Sequence, residues 1–290
     1  MRVGLRVPAF GWRATPGHIV AHAEAAEAHG FDSLWVSDHV VMPREHSTPY
    51  TTRFKVEEAF LEPVALLAFL AAVTQRVELG TSVLVLPMRQ PVLHAKMLAT
   101  IDHLAGGRLI LGAGVGWCRE EFEVLSAPFA RRGRRMDEIL QLYRAFWTED
   151  WVDFHGEFYE VDGWTSRPRP PRRVPIWMGG ESDAQLRRAA VWGDGWISQG
   201  RGAPRLRENI ARLHAAAEAA GRDPAELTIA IHSHVTITAD AMPRAAAGLA
   251  ELKEAGVQHA LTTVDLRETD RVPELIARFA EDHLARLQAD

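Results

Sequence analysis

The stretch Val3-Gly4-Leu5-Arg6-Val7-Pro8-Ala9-Phe10-Gly11 (VGLRVPAFG) decides between two architectures. Val3 to Val7 is a short, mostly apolar run of the kind found in a parallel sheet covered on both faces. Gly17 to Gly30 then reads as a helix stopped by a glycine. A doubly wound dinucleotide-binding sheet would carry G-x-G-x-x-G directly after such a first strand. Pro8-Ala9-Phe10-Gly11 stands there instead, which disfavours the open sheet and favours a closed barrel.

The strand–helix rhythm continues outward from this start. Further strands are expected over Ser33 to Ser37, Leu79 to Leu86, Leu109 to Ala113, Ile176 to Met178, Trp196 to Ser198, Leu227 to Thr238 and Ala260 to Val264. Helices are expected over Leu61 to Thr74, Pro91 to Leu104, Arg134 to Trp147, Asp183 to Trp192, Leu206 to Ala220, Ala245 to Ala255 and Pro273 to Leu287. In the fourth of the eight helices, Met136, Ile139, Leu140, Tyr143 and Phe146 fall at helical spacing. The rhythm slips once. Trp151 to Gly163 alternates apolar and polar residues about His155-Gly156 and predicts a β-hairpin. With the Pro/Arg-rich run Arg167 to Pro175 it forms an insertion over residues 151–175, between the fourth helix and the fifth strand. Eight strand–helix pairs predict the α/β class, as a (β/α)8 TIM barrel with 1–290 as one domain. A barrel takes about 250 residues, and the insertion and the loop from Val40 to Phe60 absorb the excess in a chain of 290.

Composition narrows the function. Hydrophobic residues at 47% and charged residues at 24% exclude a mainly disordered chain, and a net charge of −5 argues against a nucleic-acid partner. The lone Cys118 excludes an intrachain disulfide framework and fits a reducing compartment. The longest apolar stretch, Pro63 to Val73, is shorter than the roughly 18 residues of a membrane span. The N-terminus lacks the apolar core of a signal peptide. The expectation is a cytoplasmic protein with no membrane partner.

In a barrel, chemistry gathers at the C-terminal ends of the strands. The second strand ends in Asp38-His39, where a carboxylate beside an imidazole can orient it for proton transfer; a capped turn with a solvated histidine is the plainer alternative. Thr81, Ser82 and Val83 are small enough for a flat ligand to approach the third strand, although ordinary strand packing needs the same residues. Gly112, Gly114 and Gly116 alternate before Trp117 and permit close approach of a ligand or a tight turn. Gly179-Gly180 precedes Ser182, which with Gln185 forms a capping-box pattern. Simple capping explains this, and so does an anion held by helix N–H groups. His232 and His234 share one face of the seventh strand. With no third ligand at matching spacing and no H-E-x-x-H, no metal is expected, and a histidine lining a substrate pocket is favoured. The basic runs Arg131 to Arg135 and Arg167 to Arg173 are solvated faces or the seat of an anionic ligand tail.

Taken as a set, these motifs resemble the luciferase-like superfamily of flavin- and deazaflavin-dependent barrels, and within it the coenzyme F420-dependent oxidoreductases of actinobacteria. The set comprises Ser37-Asp38-His39, Leu79 to Val83, Leu111 to Trp117 with Glu120, Glu121 and Phe122, Arg134 to Glu138, Phe146-Trp147, Phe154 to Tyr159, Pro175 to Gly180 and Gly193 to Trp196. The likeness thins after Trp196. It implies a phosphate-bearing cofactor across the barrel mouth, coenzyme F420 or alternatively FMN. The ring would rest against a cis Ser82–Val83 peptide beside Thr81. The phosphate would meet the backbone of Gly114, Val115 and Gly116 and of Gly179-Gly180. His39, beside Asp38, would serve as the proton donor or acceptor. Phe10, Trp117, His232 and His234 would line the substrate pocket, and the protein would be a homodimer.

The sugar-phosphate dehydrogenases of this group carry a glutamate where Trp117 stands and a tryptophan shortly after the histidine of the second strand, where Val40-Val41-Met42-Pro43 stands here. A more apolar, bulkier substrate is therefore expected. The leading expectation is hydride exchange between coenzyme F420 and an organic substrate. The alternatives are a reduced-FMN two-component monooxygenase and, further off, a non-enzymatic cofactor carrier.

Overall fold

The computed structural model describes residues 1–45, 47, 58–200, 202–265, 267 and 271–289; the notable remainder is most of the loop expected from Val40 to Phe60. The strands are β1 (Arg2–Arg6), β2 (Ser33–Val36), β3 (Glu78–Thr81), β4 (Leu84–Val85), β5 (Leu109–Gly114), β6 (Val152–His155), β7 (Glu160–Trp164), β8 (Ile176–Gly179), β9 (Gly195–Ser198), β10 (Thr228–Ile237) and β11 (His259–Val264). The helices are α1 (Pro16–Ala28), α2 (Pro63–Val73), α3 (Pro91–Leu104), α4 (Arg119–Val124), α5 (Arg132–Thr148), α6 (Asp183–Trp192), α7 (Ala203–Ala219), α8 (Met242–Glu254) and α9 (Val272–Phe279). No helix among the described residues is long and apolar enough to cross a membrane.

The large sheet is parallel throughout and runs β3-β2-β1-β11-β10-β9-β8-β5-β4. It closes because β5 pairs with β3 (Leu79 opposite Leu109) as well as with β4 (Leu84 opposite Ala113). β4 continues the position of β3, so the expected third strand is one stave in two pieces, and the barrel has the eight expected positions. The Ser82–Val83 peptide between the pieces is cis. Two further departures from the sequence reading are local. A short helix, α4, lies past Trp117, and the last helix passes through one π turn at Ala280–Leu284. The hairpin β6–β7 is antiparallel, as expected. Its turn is seated on α5, where the Glu138 carboxylate accepts the amides of Glu157, Phe158 and Tyr159 at 2.7, 2.9 and 3.2 Å.

Strand alternation sorts the side chains into two cores. Leu34, Leu79, Leu109, Leu111, Ile176 and Trp196 point outward to the helices. Trp35, Ile110, Trp177, Ile197, Ala230 and Leu261 fill the barrel interior, with Val83 packed on top. Trp35 and Trp177 stack at 5.4 Å, and a methyl group at Gly80 would lie 2.3 Å from the Trp35 ring, so glycine is what admits the indole. The Trp35 indole donates to Ser33 Oγ at 2.7 Å, which meets His259 Nε2 at 2.7 Å. Burial pushes the His259 imidazole well below its ordinary pKa, so this plug is uncharged.

The glycine run of β5 is the other half of the interior packing. Methyl groups at Gly114 and Gly179 would stand 2.5 and 2.7 Å from the side chain of Val83, and one at Gly116 would stand 2.6 Å from Val85. At Gly112 the obstacle is backbone, the Thr81 carbonyl oxygen at 1.8 Å. Gly112→Ala must therefore push β3 from β5 at the seam that closes the barrel. We expect a loss of about 3 kcal/mol or more, read as a lowered denaturant midpoint; an unchanged midpoint would refute this account of the glycines.

Candidate active site

The mouth is organised around Asp38, at the end of β2. Its side chain is fully enclosed. It accepts a hydrogen bond from the Val85 amide at 2.7 Å, from Arg89 Nη1 at 2.7 Å and from Arg89 Nη2 at 2.8 Å. Arg89 also donates to the Val85 carbonyl at 3.1 Å and to Glu62, the N-cap residue of α2, at 3.2 Å. Burial opposes the charge on Arg89, but Asp38 and Glu62 hold the guanidinium above its ordinary pKa. One bidentate ion pair thus joins β2, the second half of the broken strand and the start of α2. Asp38 is committed to this knot. The expectation that it orients His39 is corrected: its oxygens are turned to Arg89 and Val85.

The carboxylate that meets His39 is Glu121, from α4. Glu121 is 2% exposed. Its Oε2 lies 3.2 Å from His39 Nδ1, and its Oε1 accepts the Val40 amide at 2.6 Å. One buried carboxylate therefore fixes both the ring and the backbone beyond it. A carboxylate acceptor at Nδ1 favours the tautomer that carries the ring proton on that nitrogen. Phe60 and Trp117 meet the imidazole edge-on, each with centroids at 5.6 Å. Phe60 in turn stacks on Phe10 at 5.9 Å, and the two residues form a β-bridge. The mouth thus has one imidazole in an aromatic wall. Phe10 and Trp117, both expected in the pocket, belong to that wall.

Other expected residues divide. Thr81 is buried and donates to the Gly112 carbonyl at 2.7 Å, so its hydroxyl is engaged within the sheet. Ser82 and Val83 sit half-buried at the break in the strand, and Ser82 Oγ is enclosed without a hydrogen-bond partner. Gly114 is buried, whereas Val115 and Gly116 reach the half-exposed rim. Gly179 is buried, Gly180 has φ +108, and Ser182 caps α6 by accepting the Gln185 amide at 3.3 Å. The return arm of the capping box is absent: the Gln185 side chain donates to the Gly179 carbonyl at 2.8 Å. His232 is half-buried and His234 exposed on β10, whose register shifts between His232 and Thr236. Neither belongs to a three-ligand metal group among the described residues. Much of the basic runs is occupied within the fold. Arg173 and Arg144 bind Asp194, Arg167 and Arg169 bind Asp150, and Arg131 and Arg134 bind Glu157.

Sequence reasoning missed Arg89, and it gave Glu121 no role. Arg89 is 51 residues from Asp38, and Glu121 is 82 residues from His39. The local signals were a carboxylate in the first turn past Trp117 and the proline-flanked Arg89-Gln90-Pro91. Asp38→Asn leaves the buried guanidinium with only the more exposed Glu62 as its anion and should cost about 3 kcal/mol. Asp38→Asn combined with Arg89→Met should recover part of that loss, because the poorly compensated buried charge is gone. Urea unfolding of the two single variants and the double variant checks this, and additive losses would show that the pair is not coupled.

The chain can now be set beside known proteins. An uncharacterised protein of Mycobacterium tuberculosis (strain ATCC 25618 / H37Rv) is 39% identical over 206 residues, covering 69% of this chain and 71% of that protein. The F420-dependent glucose-6-phosphate dehydrogenase of Nakamurella multipartita is 34% identical over 243 residues, covering 80% of this chain and 68% of the dehydrogenase. Among solved structures, an F420-dependent secondary alcohol dehydrogenase in complex with an F420-acetone adduct superposes with a TM-score of 0.80 at 20% identity, covering 100% of this chain and 99% of the other, a likeness of fold. The family model described as luciferase-like monooxygenase matches residues 1–285, and the chain belongs to that family.

Proposed function

We propose that this enzyme is a coenzyme F420-dependent oxidoreductase acting on a small organic molecule at the C-terminal mouth of its barrel. The observation that carries the cofactor choice is the 34% identity to an F420-dependent dehydrogenase across most of the chain. The residues present fit such a group. Ser82 Oγ is a buried polar atom with no partner at the break in the third stave, and Gly180 precedes a capped helix start that favours an anion. In this reading Ser82 and Val83 support the ring, and the backbone at Gly114 to Gly116 and at Gly179-Gly180 receives the phosphate. The bound deazaflavin supplies two-electron hydride chemistry.

The chain supplies the rest. His39 Nε2 gives or takes the proton that accompanies the hydride at the substrate. Glu121 holds the imidazole in the tautomer this requires and keeps its ring from swinging into solvent. Phe10, Phe60 and Trp117 exclude water and favour an apolar substrate body, in keeping with a tryptophan where the sugar-phosphate dehydrogenases carry a glutamate. His232 and His234, at the far rim, complete the pocket. The same reading takes the protein as a cytoplasmic homodimer.

Titration with coenzyme F420 and with FMN, followed by ring fluorescence, tests the cofactor. Tight FMN binding with no response to the deazaflavin would select the reduced-FMN monooxygenase instead. His39→Ala should leave the F420 Kd within about threefold while kcat falls by about 10²–10⁴. Retained kcat would remove His39 from the chemistry.

A further inference from the structure

Arg13 is a buried cation that the proposed chemistry does not employ. It ends the 3-10 turn Gly11–Arg13, which follows β1 on the mouth side of the barrel. It is 5% exposed, and its Nε is enclosed with no hydrogen-bond partner. The guanidinium lies over the Trp12 ring, 4.2 Å from its centroid. Burial pushes its pKa down, and Asp265, past the end of the neighbouring β11, pulls the other way only through space. The Asp265 oxygens are taken by Arg267, at 3.1 Å to Oδ1 and at 3.0 and 2.7 Å to Oδ2. Arg89 has Asp38 and Arg188 has Asp137 at 2.5 Å; Arg169, whose Nε is likewise enclosed and unpartnered, still reaches Asp150 at 2.8 Å, and Arg135, the other such case, lies over the Phe158 ring.

An enclosed guanidinium without an anion is unfavourable, and one that keeps its fork available is a ready carboxylate receptor. Its position matters as much as its charge. Phe10, three residues before it, stacks on Phe60, and Phe60 meets His39. Arg13 thus stands three residues along the chain from the residue that begins the aromatic wall against His39.

We propose that Arg13 is an anion socket of the mouth and takes a carboxylate, so that the substrate is an organic acid with an apolar body. The carboxylate pairs with Arg13 over Trp12, the apolar body lies along Phe10 and Phe60, and the reacting carbon reaches His39. This rests on the mouth being the reaction site, as proposed above. A second source of the same group is the glutamate tail of the deazaflavin cofactor, and the test separates the two.

Calorimetric titration of the full chain without added cofactor uses benzoate as the probe and benzyl alcohol as its neutral counterpart. Wild type should bind benzoate about tenfold or more tightly than benzyl alcohol. Arg13→Gln should abolish that preference, and Arg13→Lys should keep part of it. If wild type shows no preference for benzoate, but Arg13→Gln weakens F420 about tenfold and leaves tail-less FMN unchanged, the socket stands and its carboxylate is the cofactor's. If Arg13→Gln alters neither benzoate nor F420 binding, the proposal is overturned. Should Arg13→Gln fail to fold, the benzoate preference and F420 affinity of wild type against Arg13→Lys decide in the same way. Failure of the F420 reading itself appears separately, as no binding of F420 to wild type.

Discussion

The mouth of this barrel depends on a single buried ion pair. Asp38 at the end of β2 and Arg89 beyond β4 come from segments 51 residues apart, and neither charge is tolerable in that setting without the other. Their pairing also satisfies the Val85 amide and reaches the N-cap of α2 through Glu62. Three neighbouring pieces of chain are thereby held in one geometry. His39, the next residue after Asp38, inherits its position from this knot, and Glu121 then sets the direction of its ring.

The same economy governs the glycines. In sequence, alternate glycines before Trp117 read as a place where a ligand approaches the backbone. In the fold, Gly112, Gly114 and Gly179 have a packing reason as well, because Thr81 and Val83 fill the space their side chains would take. The two uses are compatible. The close contact that lets β3 and β4 both reach β5 also presents the Ser82–Val83 segment, with an enclosed hydroxyl, at the rim. Gly116 and Gly180, at φ +77 and +108, adopt backbone conformations that a side chain would strain.

The arginines show how poorly charge in a sequence reports its use. The conspicuous basic runs, Arg131 to Arg135 and Arg167 to Arg173, are largely bound to Asp150, Glu157 and Asp194 and hold the insertion to the barrel. Arg13 belongs to no run; its Nε is enclosed without a partner, as are those of Arg135 and Arg169 within the runs, but no ion pair to its guanidinium is found among the described residues. A cluster of like charges is easily neutralised by the fold around it, whereas one enclosed cation is conspicuous only once its surroundings are known.

Read along the chain, residue order already carries the alternation of eight strands and helices, the hairpin after the fourth long helix, and the strand ends that bear His39, Trp117 and the glycine turns. These follow from short-range rules: apolar periodicity, turn residues and the missing dinucleotide fingerprint. The closed barrel sets which carboxylate serves the histidine. Asp38 is adjacent in the chain yet engaged with Arg89, while Glu121, 82 residues away, lies 3.2 Å from the ring. It likewise decided that the third strand is broken at Ser82–Val83 and that His232 and His234 sit on an irregular strand with unequal exposure. The physical reason is that periodicity is a property of neighbours along the chain. Pairing of buried charges and occupancy of the space above a glycine are set by segments that meet only when the barrel closes.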